Sequence, residues 1–216
     1  MPDAPETPTG DPRPDRVYDR IAEHFSQTRE HPWPDVAEFI EERRGERALD
    51  LGCGNGRHAE LLDERADTVV GVDASEGLLA EARARATERG YDVHLVRGDA
   101  GRLPLRADSI DLAVYIATLH HLPTETARRA SLTDLARVLR AGGEALISVW
   151  STTHDRFDAE EGFDTTVDWT LPGGAVEPRY YHIYDPEEFR ADLEASALDV
   201  LDVYESTGNS YAVVTS

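Results

Sequence analysis

From residue 48 onward, short apolar runs rich in β-branched residues alternate with longer segments whose apolar positions recur every three or four residues. The short runs predict strands and the longer segments predict helices. The predicted strands are 48–51, 68–73, 93–96, 110–116, 145–150, 198–204 and 211–214, and the predicted helices are 57–66, 76–89, 124–140 and 186–196. This order predicts an α/β, Rossmann-like fold: a seven-stranded, doubly wound and mostly parallel sheet with one antiparallel strand.

Two further helices are predicted ahead of the sheet, at residues 13–24 and 35–44, from apolar positions at helical spacing. The stretch HFSQTREHPWP, residues 24–34, is predicted to be the loop between them. Residues 1–12 are rich in Pro, Asp, Glu and Thr, which predicts a disordered tail with little to bury. Residues 13–216 then form a single domain, a size that suits one hydrophobic core.

The composition is strongly acidic: the formal net charge is -21, and all 22 basic residues are arginine. Such a charge argues against binding nucleic acid unless the protein works in concentrated salt, where the Debye length falls to about 3 Å and self-repulsion is weak. We therefore expect a halophilic protein in which the local placement of arginine matters more than net charge. The single cysteine excludes an internal disulfide, and no run is apolar enough for a membrane span, so a cytoplasmic protein is expected.

Candidate ligand chemistry lies at the ends of three successive predicted strands. The first strand runs into the loop GCGNG at 52–56, whose glycines permit a tight turn and close approach of a ligand to the backbone. Alone, this loop is compatible with a dinucleotide, a mononucleoside or no ligand. Asp73, 17 residues beyond Gly56, ends the second strand where an acid can grip ribose hydroxyls, and Asp99 ends the third where it can accept an adenine amino group. Together these positions are typical of methyltransferases that use S-adenosyl-L-methionine.

The chain also resembles a particular family in stretches outside the glycine loop. The most specific are VYDRIAEHFSQTREHPWP (17–34) and RYYHIY (179–184), while LDLGCGNGRH, VYIATLHHL, GGEALISVW and GNSYAVV extend the similarity over nearly the whole chain after residue 16. These stretches resemble the tRNA wobble-uridine carboxymethyl (5-carboxymethyluridine) O-methyltransferases, in a halophilic archaeal-type version. The resemblance implies an enzyme that esterifies this carboxymethyl group in the tRNA anticodon loop with the methyl group of S-adenosyl-L-methionine.

The glycine loop and the resemblance together predict the cofactor-binding residues Tyr18, Arg29, Gly52, Cys53, Gly54, Asn55, Gly56, Asp73, Ala74, Asp99, Ala100 and Ile116. The predicted catalytic residues are Arg29, His121, Arg179, Tyr180 and His182, and no metal site is predicted. Arg29 is expected to bind the methionine carboxylate or the substrate carboxylate through its fork of N–H groups, or else to cap a helix. For the two histidines the alternative is a structural role. A carboxylate is ionised at neutral pH and needs no general base, so positioning is the main task of such a site.

Two other functions are compatible with the glycine loop. One is a methyltransferase acting on a small molecule, such as a quinone or a metabolite acid, and the other is a non-catalytic binding subunit of the same fold. The two specific stretches favour the tRNA enzyme over both.

The third predicted strand lies at the sheet edge in this topology, and the charged side chains of residues 91–97 blunt that edge only in part. The resemblance implies a small zinc-ribbon-type activator protein that adds a strand there. We therefore expect a heterodimer, with an isolated chain that is poorly soluble.

Overall fold

The structure, a computed structural model, describes residues 14–216, so the predicted tail at 1–12 lies outside the described residues. Helix α1 (Pro14–Thr28) and helix α2 (Pro34–Glu41) precede the sheet. The predicted loop at 24–34 is wrong at its start, because α1 continues to Thr28 and the linker comprises only residues 29–33. Phe25 continues the apolar spacing of this helix, and the first residue that is incompatible with a helix interior is Pro32.

The predicted strands and helices are all present in the structure. The strands are β1 (Gly45–Leu51), β2 (Ala66–Asp73), β3 (His94–Arg97), β4 (Ile110–Ile116), β5 (Leu139–Trp150), β6 (Phe163–Thr170), β7 (Val176–Ile183), β8 (Asp199–Ser206) and β9 (Asn209–Thr215). The other helices are α3 (Ala59–Asp63), α4 (Glu76–Arg89), α5 (Glu125–Val138) and α6 (Pro186–Glu194), with a short 3-10 helix at Leu119–His121. The largest difference in bounds is at β5, which begins at Leu139 rather than at residue 145.

Seven strands form one sheet in the order β3-β2-β1-β4-β5-β9-β8. The first five pair in parallel, whereas β9 pairs antiparallel with both β5 and β8. The predicted α/β fold, a mostly parallel sheet with one antiparallel strand, is therefore confirmed, and β3 lies at the edge of the sheet as expected. Because the carboxyl ends of parallel strands meet at one side of the sheet, a ligand site is expected there.

Buried apolar side chains cover both faces of the sheet. One core packs α5 and α6 onto it through residues such as Leu132 and Phe189. The other packs α2 and α3 through residues such as Phe39 and Leu62. Burying a side chain of this size contributes about 1.5–3 kcal/mol. Within residues 14–216, no helix combines the length and the apolar character that crossing a membrane requires.

A second sheet, the hairpin β6–β7, is missing from the predictions. Its two strands pair antiparallel up to Thr170, which lies opposite Val176. The hairpin has a small core of its own, formed by Val167, Tyr181 and Ile183. Strand β7 contacts α1, the 3-10 helix and β5, so the hairpin lies against the elements that surround the carboxyl ends of the parallel strands.

Candidate active site

The carboxyl ends of β1, β2, β3 and β4 open into a cavity of about 640 Å³ that α1 borders on one side. Its lining contains most of the predicted cofactor residues, namely Tyr18, Gly52, Cys53, Gly54, Asn55, Asp73, Ala74, Asp99, Ala100 and Ile116. The predicted catalytic residue His121 also lines it. Two predicted cofactor residues, Arg29 and Gly56, are absent from this lining within the part of the chain that the structure describes.

Two glycines of the loop after β1 are required by the backbone. Gly52 has a φ of +71°, and a Cβ atom there would overlap the side chain of Thr118. Gly56 has a φ of +76°, and its Cβ would lie 2.7 Å from the hydroxyl oxygen of Tyr91. L side chains rarely adopt such φ values. The first glycine therefore lets the chain turn sharply at the cavity floor, while Gly56 permits close packing against Tyr91 and does not itself line the cavity.

Asp73 at the end of β2 braces this loop. Its Oδ2 accepts a hydrogen bond from the Gly54 N–H at 2.9 Å, and its Oδ1 accepts one from the Ser75 N–H at 2.8 Å. Burial raises the pKa of Asp73, although these hydrogen bonds oppose the shift. A carboxylate has about four acceptor positions, so Asp73 can hold the loop and still accept hydrogen bonds from two ribose hydroxyls.

Two sets of hydrogen bonds fix helix α1 and the linker after it beside the cavity. Asp19 Oδ1 accepts hydrogen bonds from Ser75 Oγ at 2.7 Å and from the Gly77 N–H at 2.9 Å, which joins α1 to the start of α4. Asn55 Nδ2 donates to the Arg29 carbonyl at 2.9 Å, which joins the glycine loop to the linker after α1. Asn55 is 1% exposed, so its amide acts mainly as a structural tie between these segments.

The residues of the cavity fit S-adenosyl-L-methionine. Asp73 offers acceptors suited to ribose, and Asp99 is an exposed acid whose Oδ1 accepts from the Gly101 N–H at 2.7 Å. Apolar contacts for the adenine ring are available from Ile116. Cys53 also lines the cavity. Burial raises the pKa of its thiol well above the ordinary value, so the cavity wall at Cys53 is uncharged. The cavity thus combines acids at its polar end with a neutral, partly apolar wall, as an adenosine ligand requires.

A chain of hydrogen bonds connects Arg179, Tyr18 and His121 at one side of the cavity. The His121 Nδ1–H faces the Tyr180 carbonyl oxygen at 2.9 Å, so Nε2 accepts from the Tyr18 hydroxyl, also at 2.9 Å. The Tyr18 oxygen in turn accepts from Arg179 Nη1 at 3.5 Å. Burial lowers the pKa of His121 to about 4, so the ring is neutral at neutral pH. The neutral ring of His121 therefore accepts a hydrogen bond from the Tyr18 hydroxyl and orients it.

Two arginines flank the ring of Trp169. The guanidinium carbon of Arg179 lies 4.8 Å from the ring centre, and that of Arg29 lies 5.4 Å from it. Arg179 is 8% exposed, and its buried Nε has no hydrogen-bond partner in the described residues. The ion pairs found within residues 14–216 include neither arginine. Arg179 is itself absent from the cavity lining within residues 14–216, but its Nη1 contacts the Tyr18 hydroxyl, which belongs to that lining. Buried charges in proteins are usually paired, so an unpaired guanidinium behind the cavity wall indicates a site for an anion.

Like Arg179, the predicted catalytic residues Tyr180 and His182 are absent from the cavity lining within residues 14–216, and their role at the reacting group stays a prediction. Side chains alternate along a strand, so Arg179 faces the cavity side of β7, whereas its neighbours Tyr180 and His182 face the other side. The Tyr180 hydroxyl donates to Asp164 at 2.6 Å, and His182 lies 2.8 Å from both Asp164 and Glu188. Two atoms of Tyr180 contact residues of the cavity lining: its carbonyl oxygen faces His121, and its hydroxyl lies 3.4 Å from the Pro123 carbonyl.

Trp169 is a site residue that the sequence predictions missed. Its ring contacts both arginines, and its Nε1 donates to His24 Nδ1 at 3.1 Å, which fixes the hairpin to α1. A signal was available in the stretch FDTTVDWT at 163–170, where Phe163, Val167 and Trp169 fall on one face of an alternating pattern, with Thr at position 165, before a Pro-Gly-Gly turn at 172–174. That pattern is typical of a hairpin with one buried face.

Comparison with known proteins bears on the class of the enzyme. A family model described as a methyltransferase domain matches residues 48–143. An Encephalitozoon cuniculi protein whose name describes a methyltransferase is 34% identical over 195 residues, and the alignment covers 87% of each chain. The Saccharomyces cerevisiae tRNA (carboxymethyluridine(34)-5-O)-methyltransferase is 36% identical over 169 residues, which cover 76% of this chain and 58% of the relative. The chain spans only 20% of a longer Xenopus tropicalis relative of that name, to which it is 39% identical over 137 residues, 63% of this chain.

Two solved structures illustrate how closely this fold is shared. The DhpI-SAM-HEP complex superposes with a TM-score of 0.74 at 23% identity, covering 97% of this chain and 100% of that one. A chain of the complex between the Haloferax volcanii Trm112 methyltransferase activator and a methyltransferase superposes with a TM-score of 0.67 at 17% identity, covering 92% and 96%. At these identities the likeness establishes the fold.

A Rossmann-like sheet with a glycine loop, an acid at the end of β2 and an adenosine-sized cavity defines the class of S-adenosylmethionine-dependent methyltransferases. The chain belongs to the methyltransferase family. The predicted enzyme class and cofactor are thereby confirmed, and the acceptor of the methyl group is the remaining question.

Proposed function

We infer that the protein methylates a carboxylate, and specifically the carboxymethyl group at the wobble uridine of tRNA. The observation that carries this is Arg179, a buried guanidinium beside the cavity with no carboxylate partner in the described residues. Arg29 adds a second positive charge on the same tryptophan ring. The name of the Saccharomyces cerevisiae relative, which matches three quarters of this chain, supports the tRNA substrate.

We propose separate tasks for the residues around the cavity. When bound, S-adenosyl-L-methionine would supply an electrophilic methyl group on a positively charged sulfur, held by the glycine loop, Asp73 and Asp99. Arg179 and Arg29 would bind the substrate carboxylate, which is already ionised at neutral pH. Tyr18 and the neutral His121 hold Arg179 in place without competing for its charge. Such positioning of two reactants contributes up to about 7–11 kcal/mol to catalysis.

The direct test is incubation of the full chain with labelled cofactor and bulk tRNA that carries unesterified 5-carboxymethyluridine, in concentrated salt. Mass spectrometry of the nucleosides should find the label in the methyl ester of that nucleoside. Label in a quinone or an acid of a metabolite extract, with none in tRNA, would instead establish the small-molecule alternative.

Replacing Arg29 with alanine should lower turnover on tRNA about tenfold or more, because a hydrogen bond between charged groups contributes about 1.5–3 kcal/mol. The fold should be unaffected, since the only polar contact found for this side chain in residues 14–216 is with the Thr28 carbonyl at 3.1 Å. Turnover is measured by label transfer, and Arg16→Ala, at an exposed position of the same helix, is the matched control. Full activity of Arg29→Ala would leave only a role at the end of α1.

The free edge of β3 supports the predicted partner, a small zinc-ribbon-type activator that pairs with residues 91–97. Beside this edge lies a groove of about 460 Å³ with Tyr91, Val93 and Leu95 in its walls. An unpaired edge with apolar neighbours is a ready place for an added strand. The structural neighbour solved with a Trm112 methyltransferase activator supports this choice of partner. We also propose that the protein works in concentrated salt, as a halophilic protein, and in the cytoplasm.

Leu95→Pro should abolish copurification of the activator, because proline removes a backbone donor and disturbs the edge strand. The matched control is Leu201→Pro in β8, the strand at the opposite edge of the sheet, where the residue is 55% exposed at a bulge. Pull-down in concentrated salt measures the result, with thermal unfolding as a check on each variant. Retention of the activator by a folded Leu95→Pro protein, or a monodisperse and fully active lone chain, would contradict edge pairing.

A further inference from the structure

His182 lies between two carboxylates from different parts of the fold. Its Nδ1 is 2.8 Å from Oδ1 of Asp164, the residue directly opposite it on β6. Its Nε2 is 2.8 Å from Oε1 of Glu188 in the first turn of α6. The ring therefore connects the hairpin β6–β7 to the helix that packs on the main sheet.

The geometry sets the protonation state of this ring. A carboxylate only accepts hydrogen bonds, so both ring nitrogens must carry a proton for both contacts to be hydrogen bonds. Burial alone would raise the pKa of Asp164, but hydrogen bonds from Tyr180 and His182 outweigh it and hold that pKa below its ordinary value. Asp164 is therefore ionised at neutral pH, and a neutral His182 would leave one nitrogen lone pair facing a carboxylate oxygen.

The neighbouring groups are themselves already paired. Arg128, which is 4% exposed, contacts Glu188 at 3.2 Å, and Arg129 contacts the buried Asp192 at 2.7 Å. His182 contacts Asp164, Glu188 and the ring of Tyr184, and it interacts electrostatically with His120. Those partners in turn contact the remaining charged and titratable groups nearby, which are Tyr180, Arg128 and Asp192. Of these groups, Asp164 and Glu188 are the two that contact the ring nitrogens of His182.

The hairpin that His182 anchors carries the proposed substrate site. Trp169 lies on β6 and Arg179 on β7, and the Tyr180 carbonyl of β7 holds His121 in the tautomer that receives the Tyr18 hydroxyl. A shift of the hairpin would move the anion site and release His121 together.

We propose that the Asp164–His182–Glu188 bridge is a positioning device that holds this hairpin in place only while His182 carries both ring protons, so that methyl transfer weakens as the pH rises. The proposal rests on the proposed function for the identity of the acceptor, although the bridge can be tested without it. The direction of this pH effect follows from the protons on the ring. At low pH the ring donates to both carboxylates, and when it becomes neutral the hydrogen bond to Asp164 or to Glu188 is lost.

The test compares wild type with Asp164→Asn between about pH 6 and about pH 9, the range around histidine titration. A neutral ring can donate to Glu188 and accept from the Asn amide, so this variant should keep the bridge at every pH. Asp168→Asn, which makes the same charge change at an exposed position of the same strand, is the matched control.

Two quantities are measured across this range: hydrogen-exchange protection of the β6–β7 amides, corrected for intrinsic exchange, and kcat/KM on the tRNA acceptor. In wild type and Asp168→Asn both should fall about two- to fivefold as pH rises, because the Asp164 side chain is half exposed and solvent screens its contact with His182. In Asp164→Asn both should stay level. Should Asp164→Asn fail to fold, Glu188→Gln replaces it, since its amide can donate to the other ring nitrogen.

A pH dependence that is the same in Asp164→Asn, Asp168→Asn and wild type would overturn the proposal. So would a wild-type hairpin whose protection stays level across the range. If no tRNA is methylated at any pH, the proposed function fails, and the exchange data from the complex with S-adenosylhomocysteine decide the bridge by themselves.

Discussion

Asp73→Ala should weaken the binding of S-adenosylhomocysteine by about tenfold or more, because each hydrogen bond to a charged group contributes about 1.5–3 kcal/mol. Two losses combine in this variant. The ribose loses its acceptor, and the Gly54 and Ser75 N–H groups lose the carboxylate that holds the loop in shape. Isothermal titration calorimetry measures the affinity directly and does not depend on the identity of the methyl acceptor.

The matched control is Asp67→Ala, an exposed acid near the other end of β2. Its affinity for S-adenosylhomocysteine should equal that of wild type. A second comparison, Asp73→Asn, keeps one oxygen and should bind better than the alanine variant. Unchanged affinity in Asp73→Ala would remove this residue from the cofactor site and leave it as a brace of the loop.

The main sheet was predictable from the sequence because its central strands are buried on both faces. Such strands are continuous apolar runs, and β4 was predicted with its observed bounds, Ile110–Ile116. Helix α4 was also predicted with its observed bounds, since Ser75 caps its start through the Leu78 N–H and Gly90 ends it at a φ of 76°. Local signals at both ends of an element make its bounds readable from sequence.

The hairpin β6–β7 was not predicted, because only one of its faces is buried. Its apolar residues are separated by Asp and Thr, so no continuous apolar run marks the strands. The signal is alternation, which is weaker than the runs of the main sheet. Once the hairpin was missed, the stretch RYYHIY had no strand to set the direction of its side chains. All three polar candidates within it were then placed at the reacting group.

Alternation along β7 separates these candidates by physical role. Arg179 has a buried nitrogen without a partner in the described residues, whereas the hydroxyl of Tyr180 donates to Asp164 and faces the Pro123 carbonyl, and both ring nitrogens of His182 contact carboxylates. A buried polar group without a partner in the free protein calls for an explanation, and an anionic ligand would supply one for Arg179. Sequence alone contains no information about which face a residue occupies until the strand itself is identified.

Arg179→Met should lower kcat/KM on the carboxylate acceptor by about tenfold or more, since a hydrogen bond between charged groups contributes about 1.5–3 kcal/mol. The same change should leave the free energy of unfolding unchanged or raise it. Burying a charge without a partner is costly, and methionine fills a similar volume without that cost. The loss of the contact between the guanidinium and the Trp169 ring, at 4.8 Å, offsets part of this gain. Activity should therefore fall without a loss of stability, as at other sites where function opposes stability.

Label transfer measures the first quantity and denaturant unfolding in concentrated salt measures the second. Arg190→Met, at an exposed position of α6, is the matched control and should change neither. Arg179→Lys separates charge from geometry: lysine keeps the charge but cannot form the paired hydrogen bonds of a guanidinium with a carboxylate, so activity should be intermediate. If Arg179→Met loses stability together with activity, the guanidinium is a structural part of the hairpin and the anion site must be sought at Arg29.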